Sequence, residues 1–202
     1  AENLQPLYNV SGKHLGPEAE ISDLSGFRGS QPVRINNGAD TQVQLDVFGP
    51  IVDLIHLLSV RGEALATKHW DLVKDLVHAV KMRWKEADCG IWEIRSSLRH
   101  YTYTKLMCWV AVDRAIELAD DFTGEVDPEW LVLKNEIADS INENSYKKEI
   151  NAYSCAYDET DIDASVLALG LYGFIEMNDP KFVGTIKAVE ENLLVNNTVY
   201  RY

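Results

Sequence analysis

From about residue 45 the apolar residues of this 202-residue chain recur at helical spacing in six successive runs, and the runs alternate in character. The first carries Leu45, Val47, Phe48, Ile51, Val52, Leu54, Ile55 and Leu58, with Gly62 near its stop. The second, about 70–86, has one stripe of Leu72, Val73, Leu76, Val77, Val80 and Trp84, with Lys74, Asp75 and Lys81 off it. The third begins near Tyr103 and is apolar almost all round, through Leu106, Met107, Trp109, Val110, Val112, Ala115, Ile116 and Leu118, which predicts deep burial. The fourth opens at Asp127-Pro128-Glu129, an N-cap followed by proline at the first helical position, and keeps a charged outer face. The fifth, about 161–175, is nearly all apolar, broken only by Gly170 and Gly173, and reads as an interior helix. The sixth repeats the cap signal at Asp179-Pro180 and places Phe182, Val183, Ile186, Val189 and Leu193 on one side.

Odd-numbered runs are thus the more apolar, even-numbered runs are two-faced, and no convincing strand run follows the first forty residues. An all-α chain alternating in this way reads as an inner ring of helices backed by an outer ring, a toroid or solenoid of helical hairpins, with an ordinary bundle as the alternative. An arm and loops occupy 1–44 and the hairpins 45–202. The links leaving the interior helices (62–69, 119–126, 177–178) are short or plain. Those entering them (27–44, 87–102, 145–160 and the tail from 196) are longer and chemically richer. These gather at one end of the ring, where function is expected.

Nineteen basic against 32 acidic residues give a net charge of −13, so nucleic acid and anionic membrane surfaces are poor partners. The longest apolar run, 164–175, is too short to span a bilayer. Ala1 stands where an initiator methionine would, with no signal-peptide pattern behind it, and a truncated or processed piece is expected. Cys89, Cys108 and Cys155 form no CxxC pair, which fits a reducing, cytoplasmic setting. The five histidines lack HxH or HExxH spacing and the cysteines are scattered, so no metal site is expected. There is no GxSxG and no P-loop, and the glycine-rich Gly26-Phe27-Arg28-Gly29-Ser30 precedes no strand–helix unit.

The densest chemistry lies in Asp88-Cys89-Gly90-Ile91-Trp92-Glu93-Ile94-Arg95. Glycine gives the backbone freedom, the indole offers a plane on which a flat apolar face such as a sugar can stack, and desolvation beside it suits Glu93 to donate a proton. The alternative is a surface glutamate that pairs with Arg95 or caps the helix at Thr102. His100 follows Arg99 in a loop that also holds Tyr101 and Tyr103, and suits either a substrate contact or a structural role. Asp158, Glu159, Asp161 and Asp163 are expected to complement the N-terminus of the fifth helix.

Taken together, several segments resemble glycoside hydrolase family 15, the glucoamylase-like enzymes, in the bacterial and archaeal branch that includes trehalases. They are Gly26-Phe27-Arg28-Gly29-Ser30-Gln31-Pro32 with Val33 to Asn37, Gln42-Val43-Gln44-Leu45-Asp46-Val47-Phe48-Gly49, and Gly90-Ile91-Trp92-Glu93-Ile94-Arg95. Arg99-His100-Tyr101-Thr102-Tyr103 running on to Ala115, and Val199-Tyr200-Arg201-Tyr202, complete the set. The resemblance runs the length of the chain. It implies an (α/α)6 toroid of alternating inner and outer helices, and an inverting hydrolysis that releases glucose from terminal α-glucosidic linkages without a cofactor. One carboxylic acid protonates the glycosidic oxygen, while another, about 6.5–9.5 Å away, activates water.

By this resemblance Glu93 is the general acid, Trp92 lines the neighbouring subsite, Phe27 stands near the family's pocket aromatic, and Arg95, His100 and Lys105 are candidate substrate contacts. Ile94 stands where fungal members have a second glutamate. The general base, the N-terminal β-sandwich and the second half of the barrel are expected outside these residues, leaving this segment inactive alone. A glucoamylase acting on α-glucans or maltooligosaccharides is the first expectation. A trehalase is the alternative, as is a non-catalytic toroid for binding sugar or a partner protein, like the regulatory subunits of phosphorylase kinase, which resemble the same family. Self-association through the first and fifth helices or the N-terminal arm is also expected.

Overall fold

The computed structural model of the chain describes residues 4–93 and 98–202. Six α-helices are present among them: α1 (Phe48–Val60), α2 (Thr67–Arg83), α3 (Thr102–Phe122), α4 (Pro128–Asn144), α5 (Ala168–Leu171) and α6 (Pro180–Leu193). They form part of an (α/α)6 toroid. α3 touches α1, α2, α4 and α5, as an inner helix between ring neighbours and outer helices does.

That position explains why α3 is apolar all round. Leu106, Met107, Cys108, Val110, Ala111, Val112, Ala115 and Leu118 are fully buried, each large side chain contributing about 1.5–3 kcal/mol of burial. Gly49 lets α1 approach closely, since a Cβ there would lie 2.6 Å from the Met107 carbonyl oxygen. At the far end of the same helices Trp70 of α2 stacks on Phe122 at 5.2 Å and tilts against Trp130 of α4 at 5.6 Å. Arg114 of α3 ties three elements together, donating to Asp53 of α1 (3.0 Å), to Asp113 (2.5 Å) and to the carbonyl of Tyr172 just past α5 (3.1 Å).

Both predicted Asp-Pro caps form. Asp127 accepts from the Glu129 N–H at 2.9 Å and Asp179 from the Lys181 N–H at 2.8 Å. The fifth helix is shorter than its apolar run suggests. A 3-10 turn (Ala164–Leu167), capped by Asp163, passes into the single turn of α5, and Leu171 is 76% exposed. Gly173 at φ 76° ends the helix, and Gly170 lies where a Cβ would come within 2.3 Å of the Phe182 ring of α6. Close packing on α6 and a left-handed stop thus override the apolar periodicity.

Three two-residue hairpins accompany the helices: β1 (Ala19–Glu20) with β2 (Arg34–Ile35), β3 (Tyr146–Lys147) with β4 (Ala152–Tyr153), and β5 (Leu194–Val195) with β6 (Thr198–Val199). The last two fall where no strand was expected, because two residues carry no periodic signal. Asn196 and Asn197, at φ 51° and 61°, make the turn between β5 and β6. Leu54, Leu57 and Val60 of α1 are exposed, which is the feature behind the expected self-association. No helix among the described residues is long and apolar enough to cross a membrane.

Candidate active site

The Trp92-Glu93 pair sits on a tight turn. Gly90 adopts φ 66°, and a Cβ on it would meet the Tyr101 ring at 2.7 Å, so this position requires glycine twice over. The Glu93 N–H donates back to the Gly90 carbonyl at 3.3 Å, and Glu93 itself is left-handed at φ 54°. Such a conformation costs a non-glycine residue about 1–2 kcal/mol, so the surrounding contacts must hold it. Gly90→Ala is expected to lower stability by about 1–3 kcal/mol through the strained φ and the ring contact, measured by denaturant unfolding; an unchanged midpoint would contradict the turn geometry.

The loop at 27–44 supplies part of that hold. Asn37 caps the 3-10 turn Gly38–Thr41 by accepting the Ala39 N–H on Oδ1 (2.9 Å), which turns its Nδ2 outward to donate to Glu93 Oε2 (3.3 Å). Gln42 Nε2 donates to the Glu93 backbone carbonyl (3.4 Å). The indole is fixed from the opposite direction. Trp92 Nε1 donates to Asp163 Oδ2 at 2.8 Å, and the other oxygen of Asp163 receives the Ser165 N–H (2.9 Å) and hydroxyl (2.5 Å). Burial raises the Asp163 carboxyl, and the Ser165 and Trp92 hydrogen bonds oppose that rise. From the tail, the Arg201 guanidinium lies 5.2 Å over the Trp92 ring and Tyr202 meets it edge-on at 6.2 Å. The 27–44 loop, the cap of the 3-10 turn at 164–167 and the tail therefore converge on one tryptophan–glutamate turn.

The base of the turn is stitched to its neighbours. Asp88 and Arg99 exchange backbone hydrogen bonds at 2.9 and 3.0 Å, Tyr101 pairs with Ala156, and the Arg99 guanidinium binds Asp158 (2.8 Å) and Glu159. The acidic cluster expected at the fifth helix is thus divided: Asp158 and Glu159 serve Arg99, and Asp163 serves Trp92 and the 3-10 turn. Asp88 accepts the Leu45 N–H (3.0 Å) and the Thr104 hydroxyl (2.9 Å), clamping this loop to the start of α1.

Other predicted contacts are placed differently. Lys105 is 1% exposed and its ammonium donates to the carbonyls of Trp84 and Glu86, both at 2.5 Å; it is a buried strut, not a group open to sugar. Its place on the all-buried α3 is the physical reason. His100 stacks on Tyr157 at 5.8 Å and lines a hollow with Trp84, Lys85, Lys105, Ser140 and Tyr157, apart from the partners of Glu93, and burial lowers its pKa. Phe27 is 80% exposed under the Arg28 guanidinium, and none of the described contacts joins it to Trp92 or Glu93. Arg95 lies outside the described residues.

One acidic residue beside the turn was missed. Asp46 is 8% exposed, its Oδ1 has no hydrogen-bond partner among the described residues, and burial followed by the charge of Asp88 pushes its carboxyl up to about 7. An aspartate set between Leu45 and Val47, at the head of the first apolar helical run, was the available signal.

The sequence profile of the glycosyl hydrolases family 15 matches residues 1–202. The chain belongs to glycosyl hydrolases family 15. It is 34% identical over 200 residues to a trehalase of Thermoplasma acidophilum, covering 98% of this chain and 34% of that protein. It is 37% identical over 203 residues to trehalase 1 of Sulfolobus acidocaldarius, again covering 98% of this chain and 34% of that protein. The chain therefore spans about a third of the length of the curated relatives it matches. Among solved structures, a glycosidase in complex with glucose shares the fold at TM-score 0.70 and 18% identity, over 86% of this chain and 48% of that one.

Proposed function

We propose that these residues are the acid-bearing sector of the catalytic domain of a family 15 hydrolase that cleaves trehalose. Relatives named trehalase, 34–37% identical along 98% of the chain, carry the substrate reading and favour it over a glucoamylase-like preference. Glu93 is the general acid and Trp92 the surface against which the sugar beside the scissile bond packs. Asn37 occupies Oε2 of Glu93, so the transferable proton resides on Oε1. Asp163, Arg201 and Tyr202 fix the indole and so define where the sugar face lies.

Departure of the first glucose needs that proton because an alkoxide is a poor leaving group. Inversion needs a second carboxylate about 6.5–9.5 Å away to activate water, and the family resemblance puts it outside this sequence; the 202-residue segment alone is expected to be inactive. Glucose release by the full protein from trehalose and from maltose tests the substrate. A kcat/KM at least about tenfold higher on trehalose, worth about 1.4 kcal/mol of differential transition-state binding, is expected. A preference for maltose would return the reading to a glucoamylase.

A further inference from the structure

Asp46 lies in the 3-10 turn Leu45–Val47 that leads into α1, one residue from the amide that Asp88 clamps. An ionised carboxylate with an unpartnered buried oxygen carries a heavy desolvation penalty, so its surroundings decide its state. The loop facing it brings two more carboxyls, Asp88 and Glu93. α3 brings the Tyr103 phenol and the Cys108 thiol, both raised by burial, the thiol to about 12. Lys105 is committed to the Trp84 and Glu86 carbonyls and bears on Asp88.

The two buried aspartates are therefore unequal. Asp88 holds the Leu45 amide and the Thr104 hydroxyl, whereas Asp46 has only its own backbone amide acting to keep it ionised. Like charges this close do not both ionise readily, and the proton settles on the carboxyl with fewer donors.

We propose that Asp46 is a positioning residue for Glu93: its neutral carboxyl keeps uncharged the floor on which the Asp88–Leu45 clamp and the Glu93 turn rest. The inference rests on the reading of Glu93 as general acid. A charge on Asp46 is repelled by Asp88, strains the clamp that joins the loop to α1, and displaces the turn. Activity then falls as pH rises through the titration of Asp46.

Its folded-state pKa is raised from 3.8 to about 7, so the sign is definite. Below pH 3.8 the group is protonated in both folded and unfolded chains and has no effect. Stability is lost as pH rises from there to about 7, and the full penalty persists above. Asp46→Asn keeps the shape and removes the charge.

In the full protein the ratio of kcat/KM for Asp46→Asn to that of wild type is expected to rise about tenfold between about pH 5 and pH 8, with the change in kcat and not in KM. The excess of the variant's Tm over wild type should widen over the same range. A flat ratio, parallel Tm curves, or uniform loss of activity at every pH would overturn the inference. Should the variant fail to fold, the side-chain carboxyl titration of Asp46 followed by 13C NMR in wild type decides it: an ordinary value near 4 contradicts it. Glu93→Gln separates the two readings. If that change is harmless, the general-acid reading fails; if it is severe while Asp46→Asn leaves the pH dependence intact, only this inference fails.

Discussion

Glu93→Gln in the full protein is expected to slow trehalose hydrolysis about 10²- to 10⁴-fold, the range that a positioned proton donor contributes. Glutamine retains a carbonyl oxygen for the Asn37 amide and leaves the Glu93 backbone carbonyl for Gln42, so the turn and the Trp92 geometry should survive. The loss is therefore expected in kcat, with KM little changed and the unfolding midpoint close to wild type. Equal losses of activity and stability would instead mark Glu93 as a structural residue whose left-handed turn is its main contribution.

The second large effect belongs to Lys105. Replacing it with methionine keeps the stem packed within α3 but leaves the Trp84 and Glu86 carbonyls without their donor and Asp88 without its neighbouring cation. Removing one member of such a buried charged group costs about 3–5 kcal/mol. In the full protein that corresponds to a fall in Tm of several degrees. If Lys105 instead touched sugar, the variant would show a raised KM and an unchanged Tm. Calorimetry and steady-state kinetics on the same preparation distinguish the two.

Lys105 also shows what sequence reading can and cannot extract. The resemblance suggested a substrate contact, yet the run that carries it is apolar all round, and a helix of that kind has no open face on which a lysine could meet solvent. Local signals were the most legible. Both Asp-Pro caps form because capping involves only neighbouring residues, and α1 to α4 follow from periodicity reinforced by burial. The fifth helix stopped early because its end is set by tertiary packing, Gly170 against Phe182, which no window of sequence contains.

In the candidate site, loop length and composition pointed to the end of the ring at which the 27–44 loop and the tail meet the Trp92-Glu93 turn. Its supports were not legible. Asn37 lies 56 residues from Glu93, and Asp163 lies 71 from Trp92, and partnerships at such separations emerge only once the ring has brought the loops together. The acidic cluster at 158–163 was read as a helix-terminus feature for the same reason. Asp46 escaped because its significance lies in the absence of a partner.

The central claim is that Glu93 delivers a proton to the departing sugar oxygen. The most direct measurement compares Glu93→Gln with wild type on trehalose and on α-glucosyl fluoride, whose leaving group departs with far less proton assistance. The account predicts loss of about 10²-fold or more on trehalose and retention of most activity on the fluoride. Equal losses on both substrates, or no loss on trehalose, would contradict it.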